Sequence, residues 1–454
     1  MITELLSPAG SLKNMRYAFA YGADAVYAGQ PRYSLRVRNN EFDHENLKIG
    51  IDEAHALGKK FYVVANIQPH NSKLKNFIRD IEPIIAMQPD ALIMSDPGLI
   101  MMVREHFPDM PIHLSVQANA INWATVKFWK DYGLSRVILS RELALEEIEE
   151  IQKNVPEIEL EVFVHGALCM AYSGRCLLSG YMNKRDANQG ACTNACRWEY
   201  KIHEAQEDAN GDVIPVQQIE PSKQCCSNKV QDDLVQSVLV QRNDEEMFAA
   251  EEDEHGTYFM NSKDLRAIQH VDRLTHMGIA SLKIEGRTKS YFYCARTAQI
   301  YRKAIDDALS GQPFDSSLMD LLEGLANRGY TEGFLRRHVH SDYQNYEDGS
   351  SHFDYQQFCG EVIERNGDYV RVEVKNRFLV GDTLELMTPK GNLVFTLTEM
   401  RDLKGHPIDN AKGSGHIVEI PLSADIDIAY ALLIRHLPHA KTQLKTDALA
   451  YSAD

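Results

Sequence analysis

The chain lacks the features that mark an exported or membrane-spanning protein. Its first residues have neither the basic start nor the apolar run of a secretory signal. No apolar stretch approaches the roughly 20 residues that a membrane span needs. Cysteine is scarce, with 8 in 454 residues. These absences predict a cytoplasmic protein without membrane contact, in which thiols stay reduced and structural disulfides are the least favoured explanation of the cysteines.

Several catalytic motifs are missing as well. The sequence contains no His-Glu-x-x-His metalloprotease motif, no Gly-x-Ser-x-Gly elbow and no Gly-x₄-Gly-Lys-Ser/Thr phosphate loop. It also lacks the Gly-rich fingerprint of dinucleotide-binding folds. Metalloprotease, serine hydrolase and P-loop chemistry are therefore not favoured.

Negative charge is in excess but unevenly spread. The net charge of −17 argues against a polyanionic partner, yet residues 204–254 alone hold fourteen acidic and three basic residues. The stretch 283–303 has one carboxylate, Glu285, and six basic residues, namely Lys283, Arg287, Lys289, Arg296, Arg302 and Lys303. The sequence thus allows a locally basic face, although an ordinary solvated helix surface is the favoured interpretation of this stretch taken alone.

Apolar runs rich in β-branched and aromatic residues alternate with stretches of helical period over the first 165 residues. The strand-like runs are 4–8, 25–29, 61–66, 91–96, 112–117, 136–142 and 160–166. The pattern resumes with strands at 259–264 and 281–286, separated by a helix. This alternation predicts an α/β fold with a (β/α)₈ TIM-like barrel, which so many repeats favour over an open doubly wound sheet.

The domain organisation follows from where this pattern stops. The barrel domain is predicted over residues 1–345, with a Cys-rich and acidic insertion at 167–256. Hairpin signals such as Asn-Gly and Lys-Gly-Asn then predict a small C-terminal antiparallel β-barrel domain over 346–440. Residues 441–454 are predicted to be a flexible tail.

Polar residues stand at the ends of nearly all predicted barrel strands, where parallel barrels carry their chemistry. They are Ser7, Asn66, Asp96, Gln117, Asn119, Arg141, Glu142, His165, Lys263, Asp264, Glu285 and Arg287. Each alone is as readily a helix cap or a turn residue. Together they predict a polar mouth.

Four cysteines, Cys169, Cys176, Cys192 and Cys196, directly follow the strand that ends near His165. Six, fifteen and three residues separate them in turn. Structural zinc sites use tight cysteine pairs, and only the second pair fits that spacing. The spacing leaves three explanations open: an iron–sulfur cluster, zinc, or free or catalytic thiols, including a pair of Cys169 with His165.

The stretch EVFVHGALCMAYSGRCLLS, residues 161–179, resembles the diagnostic pattern of the collagenase-like peptidase family. The matching positions are Glu161, Phe163, Gly166, Cys169, Gly174, Cys176 and Ser179. The segments LLSPAG, YGADAVYAG, MNSKDL and LKIEGR are also similar to that family. The resemblance implies oxygen-independent hydroxylation of tRNA, ribosomal RNA or the ubiquinone ring, because members of this family take part in those reactions.

The chain length and the segment RDANQGACTNACRWEY most resemble the tRNA-modifying branch. That branch implies 5-hydroxyuridine at the wobble position of tRNA, with prephenate as hydroxyl donor. It also implies a [4Fe–4S] cluster on Cys169, Cys176, Cys192 and Cys196, with zinc as the alternative, and contact with iron–sulfur assembly machinery. Arg266 stands where many relatives have a cysteine, so Cys225 and Cys226 are alternatives for the fourth ligand. A peptidase, a hydroxylase or accessory protein for ubiquinone or ribosomal RNA, and an RNA-delivering scaffold are the competing functions.

The donor implied by the resemblance has two carboxylates, which guanidinium groups bind bidentately. The candidate binding residues are Arg36, Arg38, Arg141 and Arg287, with His165 and Glu285 as candidate proton-transfer groups. For tRNA, we expect one groove lined by the stretch 283–303, the pair at 336–337 and a face of the β-barrel, with the acidic insertion lying away from it.

Overall fold

The computed structural model describes residues 3–35, 40–168, 263–327, 329–336, 356–413, 415–437 and 449, together with the backbone of five strands between residues 201 and 257. In this part of the chain no helix has the length and apolarity of a membrane span.

Eight parallel strands form a closed barrel. In chain order, the strands before residue 332 are β1 (Glu4–Ala9), β2 (Ala25–Gly29), β3 (Lys60–Ala65), β4 (Ala91–Met94), β5 (Ile112–Leu114), β6 (Arg136–Ile138), β7 (Glu159–Ala167), β8 (Lys201–Glu207), β9 (Val213–Pro215), β10 (Gln236–Gln241), β11 (Phe248–Asp253), β12 (Gly256–Thr257), β13 (Asp264–Arg266), β14 (Ser281–Ile284) and β15 (Tyr330–Thr331). Strands β1 to β7 pair in sequence, and β14 pairs with both β7 and β1. The predicted TIM-like barrel is confirmed.

One of the predicted barrel strands is not part of the parallel barrel. The sequence predicts a barrel strand at 259–264, but among the described residues this region contributes β13, which pairs antiparallel with the end of β7. The eighth barrel strand is β14. Strand β13 therefore extends the sheet beside the barrel mouth and carries β15 on its far edge.

The helices surround the barrel. They are α1 (Leu12–Ala20), α2 (His44–Ala56), α3 (Asn71–Leu74), α4 (Phe77–Ala86), α5 (Pro97–His106), α6 (Trp123–Asp131), α7 (Leu145–Asn154), α8 (Val271–His276), α9 (Tyr291–Leu309) and α10 (Ser317–Glu323). Several begin at a side chain that accepts a hydrogen bond from the first turn, as N-caps do: Ser11, Asp43, Asp96, Asn122 and Ser290. Asp96, one of the polar residues at the strand ends, is therefore a cap.

The C-terminal domain is antiparallel, as predicted. Its strands are β16 (Gln356–Asn366), β17 (Tyr369–Val374), β18 (Phe378–Leu379), β19 (Thr383–Thr388), β20 (Gly391–Thr396), β21 (Asn410–Ala411), β22 (Ile417–Pro421) and β23 (Leu432–His436). Six of them form one sheet in the order β20-β19-β23-β16-β17-β22, and β18 pairs with β21. Alternate residues of β17 are buried, which gives this domain its own apolar core.

A buried ion pair joins the two domains. Arg296 of α9 and Glu385 of β19 are both fully buried, with 2.8 Å between Nη2 and Oε1. Asn392 and Gln356 also donate to the Glu385 carboxylate, at 2.7 and 2.8 Å. Burial alone raises the pKa of Glu385, but Arg296 and His436 outweigh it and hold the pKa at about 2. The carboxylate is therefore charged at neutral pH.

We expect Glu385→Gln to destabilise the protein, because a neutral amide leaves the Arg296 guanidinium buried without a counter-ion. Breaking a buried pair in this way costs about 3–5 kcal/mol. Urea unfolding at neutral pH, followed by circular dichroism, measures the change. Asp52→Asn, which breaks the exposed pair of Lys48 and Asp52, is the matched control and is expected to change little.

The low folded-state pKa of Glu385 also sets the pH dependence. The stabilisation is present above the ordinary value of 4.5 and is lost as pH falls towards about 2. The difference in unfolding free energy between wild type and Glu385→Gln must therefore decrease as the pH falls from 4.5 towards about 2. A gap that stays constant down to pH 2 would contradict the assignment.

Candidate active site

A cavity opens at the carboxyl ends of the barrel strands. Its volume is about 100 Å³, which is room for several water molecules. The wall combines apolar side chains such as Tyr27, Val64, Ile93 and Phe163 with polar ones in or just after four strands, β3, β5, β6 and β14: Asn66, Ser115, Gln117, Arg141, Lys283, Glu285 and Arg287. The position is the one where parallel barrels carry their chemistry.

A neutral hydrogen-bond network forms one side of the cavity. The Asn66 amide donates to the Gln117 carbonyl oxygen at 2.9 Å and lies 3.3 Å from the Ser115 hydroxyl. Its own carbonyl oxygen accepts from the backbone N–H of Leu35 at 3.2 Å. These contacts fix the amide groups that face the cavity and tie the β2 loop to β3.

Charged groups form another part of the cavity wall. Arg287 donates to the Ser34 hydroxyl and to the Leu35 carbonyl, both at 2.7 Å. Arg141 lies over the Phe163 ring at 3.6 Å, and its buried Nε has no hydrogen-bond partner among the described residues. One carboxylate, Glu285, faces these cations, and the backbone N–H of Ala167 donates to it at 3.3 Å. The arrangement suits a small ligand with negative charge.

A chain of buried ion pairs lies beneath the cavity. Lys283 donates to Glu161 at 2.7 Å, and Arg136 bridges Glu161 and Glu4 at 3.1 and 2.6 Å. Tyr62 adds a hydrogen bond to Glu4 at 2.8 Å. Burial lowers the pKa of Lys283, an effect that Glu161 opposes without cancelling. The barrel interior therefore holds paired charges in place of a purely apolar filling.

His165 lies outside this cavity. The pairing of β7 with β14 shifts by one residue, so that Phe163 lies opposite Lys283 and His165 opposite Ile284. The imidazole packs among Tyr293, Tyr301 and Tyr330, with 3.3 Å from Nδ1 to the Tyr301 hydroxyl. This position corrects the expected place of His165 at the barrel mouth, because the strand irregularity turns the ring towards α9.

The His165 ring is also neutral. Burial, with a smaller effect of Lys289 and Arg266, lowers the pKa of the imidazole to about 3. Of the two predicted proton-transfer groups, Glu285 is the one that lines the cavity.

Six of the predicted site residues fall outside the described residues: Arg36, Arg38, Cys169, Cys176, Cys192 and Cys196. The same holds for Cys225 and Cys226. Two cysteines are described, Cys294 and Cys359, and burial raises the pKa of each thiol to about 12. Both are therefore protonated core residues, in keeping with their positions in a helix and a strand. Within the described ranges, no three His, Cys, Asp or Glu side chains converge as a metal site.

The predicted basic face along 283–303 is wrong. Lys283 lies inside the barrel, and four of the six cations of the stretch, Lys283 included, are paired with carboxylates. The pairs are Lys283 with Glu161, Arg296 with Glu385, Arg302 with Asp24 and Asp306, and Lys303 with Asp307. Arg336 pairs with Glu332, and Arg337 lies outside the described residues. A charge count along the stretch does not reveal three of these partners, Glu161, Glu385 and Asp24, because they are distant in sequence.

Glu161 and Lys283 are parts of the site that the polar residues at the strand ends do not predict. Both lie within strands, β7 and β14. A signal was present, since a lysine and a glutamate inside otherwise apolar barrel strands require partners when buried.

We expect Gly166→Ala to destabilise the cavity wall strongly. The φ of Gly166 is +101°, and an added Cβ would lie 2.5 Å from the Glu285 carbonyl oxygen, which as backbone cannot move aside. Gly278→Ala is the matched control, because Gly278 has a φ of +83° with nothing within 4 Å of the added atom. Thermal unfolding should show a clearly larger loss for Gly166→Ala, since the control carries only the backbone strain of about 1–2 kcal/mol. Equal losses would contradict the close packing of β7 against β14.

The chain is similar to several characterised proteins. It is 67% identical over 452 residues to the tRNA hydroxylation protein P of Escherichia coli K12, covering 96% of this chain and 99% of that protein. The protein of the same name from Haemophilus influenzae is 65% identical over 451 residues, with 97% of each chain covered. The 23S rRNA 5-hydroxycytidine C2501 synthase of E. coli is 28% identical over 400 residues, covering 85% of this chain and 52% of the synthase.

Family models match both domains. Residues 10–345 match peptidase family U32, and residues 354–435 match the C-terminal domain of the same family. The first match includes seven of the eight barrel strands, since β1 ends just before it, and it also contains the residues that line the cavity. The chain therefore belongs to peptidase family U32.

Proposed function

We propose that this protein hydroxylates tRNA, forming 5-hydroxyuridine at the wobble position without using molecular oxygen. The observation that carries the proposal is the near full-length similarity to proteins named for tRNA hydroxylation, at 67% and 65% identity. The more distant synthase named for 5-hydroxycytidine adds a pyrimidine hydroxylated at the same ring position. A wobble base is unpaired in the anticodon, so little stacking energy opposes its entry into a pocket.

The cavity is the proposed site of a small carboxylate donor, with prephenate as the candidate. Its two carboxylates need cationic partners, and Arg141 and Arg287 line the cavity. Arg36 and Arg38 follow Leu35 by one and three residues, and the Leu35 carbonyl, which accepts from Arg287, belongs to a cavity-lining residue. In this proposal Arg141 and Arg287 orient the donor, while Arg36 and Arg38 contribute from the adjoining segment.

Glu285 is the proposed proton-transfer group. Glu285 lines the cavity together with the two arginines, and its carboxylate accepts a hydrogen bond from the backbone N–H of Ala167. Hydroxylation at C5 of uridine requires removal of the proton at that carbon. A carboxylate at the cavity wall can accept that proton, as general bases do.

The proposed cofactor is a [4Fe–4S] cluster on Cys169, Cys176, Cys192 and Cys196, with zinc as the alternative. The first of these cysteines follows Ala167, a cavity-lining residue, by two positions in the sequence. The buried, protonated thiols of Cys294 and Cys359 are not ligands, and Cys225 and Cys226 are the alternatives for the fourth position. When bound, such a cluster supplies one-electron transfer. Iron–sulfur assembly machinery is the partner this cofactor requires.

The tRNA needs phosphate contacts that the stretch 283–303 as a whole does not offer. A groove of about 470 Å³ lies beside the cavity and shares Arg287 with it. Lys289 lines this groove, as does Lys13, which also pairs with Glu361, and the centre of the Tyr291 ring lies 4.1 Å from the Lys13 amine. We propose this groove for the phosphates next to the modified nucleotide, since cations beside an aromatic ring suit single-stranded RNA.

Nucleoside analysis of tRNA from cells lacking the protein tests the activity. We expect 5-hydroxyuridine derivatives to be lost and to return when the wild-type gene is supplied. Arg287→Ala should fail to restore them, because the cavity loses a carboxylate partner. Arg79→Ala, which removes an exposed guanidinium on α4, is the control and should restore them. Unchanged 5-hydroxyuridine in the deletion strain, with no second enzyme forming it, would defeat the proposal and favour a ubiquinone or peptidase function.

Anaerobic purification tests the cofactor. We expect a brown protein with about four iron and four sulfide per chain, as a [4Fe–4S] cluster requires. Cys176→Ser should lose the iron, whereas Cys294→Ser should keep it, because Cys294 is a buried core thiol that donates to the Pro8 carbonyl. A colourless protein with one zinc per chain would contradict the cluster.

A further inference from the structure

The floor of the barrel cavity carries a lysine that the proposed function does not use. Lys283 lies in β14, only 3% exposed, and its side chain lines the cavity. Its Nζ lies 4.2 Å from the centre of the Tyr27 ring and 5.4 Å from that of Phe163. The amine is thus shielded from solvent yet adjacent to the space that a small ligand would fill.

Burial makes the neutral form of this amine easier to reach than it is for an exposed lysine. Burial lowers the pKa of Lys283, while the Glu161 carboxylate, 2.7 Å away, raises it less than burial lowers it. Glu161 is shared with Arg136 at 3.1 Å, so its charge stays paired when Lys283 becomes neutral. A buried lysine of this kind is a good nucleophile towards carbonyl carbon.

We propose that Lys283 forms an imine with a 2-oxo carboxylate bound in the barrel cavity. The inference rests on the proposed use of a small carboxylate donor and adds a requirement, namely that the donor carries a ketone beside a carboxylate. It assigns a covalent role to a lysine inside the barrel, separate from the arginines that hold the acid and from the cysteines.

The step balances without an oxidant or reductant. The neutral Nζ adds to the ketone carbon and forms a C–N bond, while the carbonyl electron pair moves to oxygen. That oxygen takes up two protons and leaves as water, with Glu285 placed in the same cavity to pass them. Overall, an ammonium and a ketone become an iminium and water. Because the iminium N–H is also a cation, it can donate to Glu161 as the ammonium did.

The other cavity groups define the class of ligand. Arg287 and Arg141 face the same space as Lys283, so a carboxylate bonded to the ketone carbon has counter-ions at the site of reaction. The buried Nε of Arg141 has no hydrogen-bond partner within the described ranges, which leaves a donor for such a carboxylate. A simple aldehyde would leave these cations unused, and a carboxylic acid without a ketone would not react.

Reductive trapping tests the imine directly. The purified full-length protein is incubated with pyruvate or with phenylpyruvate, treated with sodium cyanoborohydride, and mapped by peptide mass spectrometry. We expect a stable secondary amine on Lys283 with a keto acid and none with lactate, which has a hydroxyl in place of the ketone. No adduct with either keto acid, or adducts confined to exposed lysines, would overturn the proposal.

Two variants separate the chemistry from the structure. Lys283→Arg keeps a cation opposite Glu161 but cannot form an imine, so we expect it to lose both the adduct and tRNA hydroxylation in cells. Lys60→Arg, at the opposite end of the barrel with a side chain 53% exposed, should keep both. If Lys283→Arg does not fold, the mapping of the wild-type adduct still decides.

The outcomes also distinguish this inference from the proposed function. Full hydroxylation by a folded Lys283→Arg protein would overturn the imine and leave the tRNA function standing. Normal 5-hydroxyuridine in the deletion strain would remove the tRNA function, whereas a trapped adduct on Lys283 would then still support the imine.

Discussion

Charges inside the barrel must be paired, and this constraint organises the site. Arg136 contacts Glu4 of β1 and Glu161 of β7, and Lys283 of β14 completes the row. These pairs join strands from both ends of the repeat at the place where the barrel closes. An unpaired ion there would cost several kcal/mol, so removal of one of these residues destabilises the fold by leaving its partner charged and unpaired. Lys283 also lines the cavity above these pairs, together with Arg141 and Arg287.

Much of the fold follows from local patterns. The strand at 25–29 has the bounds that its apolar run predicts, and the capping side chains begin their helices as Ser, Asp and Asn do. Local patterns do not fix pairing partners, which depend on contacts across long sequence separations. For this reason the sequence predicts a barrel strand at 259–264, whereas β13 pairs antiparallel with β7. The charges of the stretch 283–303 likewise do not predict that Arg296 has its partner in the other domain.

The candidate site was predictable where it depends on topology. Carboxyl strand ends meet at one face of a parallel barrel, so Asn66, Gln117, Arg141, Glu285 and Arg287 could be grouped from the sequence. His165 shows where that reasoning fails. A one-residue shift in strand pairing reverses the direction of a side chain, and the residue types do not predict such a shift. The ion pairs beneath the cavity depend on geometry in the barrel interior, which alternation along a single strand does not reveal.

The contact between the domains limits how this architecture can be divided. Arg296 lies on α9, a helix that begins four residues after Arg287, and Phe292 of the same helix stacks on Phe358 with 4.9 Å between ring centres. An isolated barrel would therefore present a bare guanidinium and an uncovered aromatic ring on the helix adjoining its site. The C-terminal domain therefore packs against α9 and covers residues of that helix, so the two domains are not independent modules. Recombination that exchanges this domain between relatives would have to carry over the matching face of α9 with it.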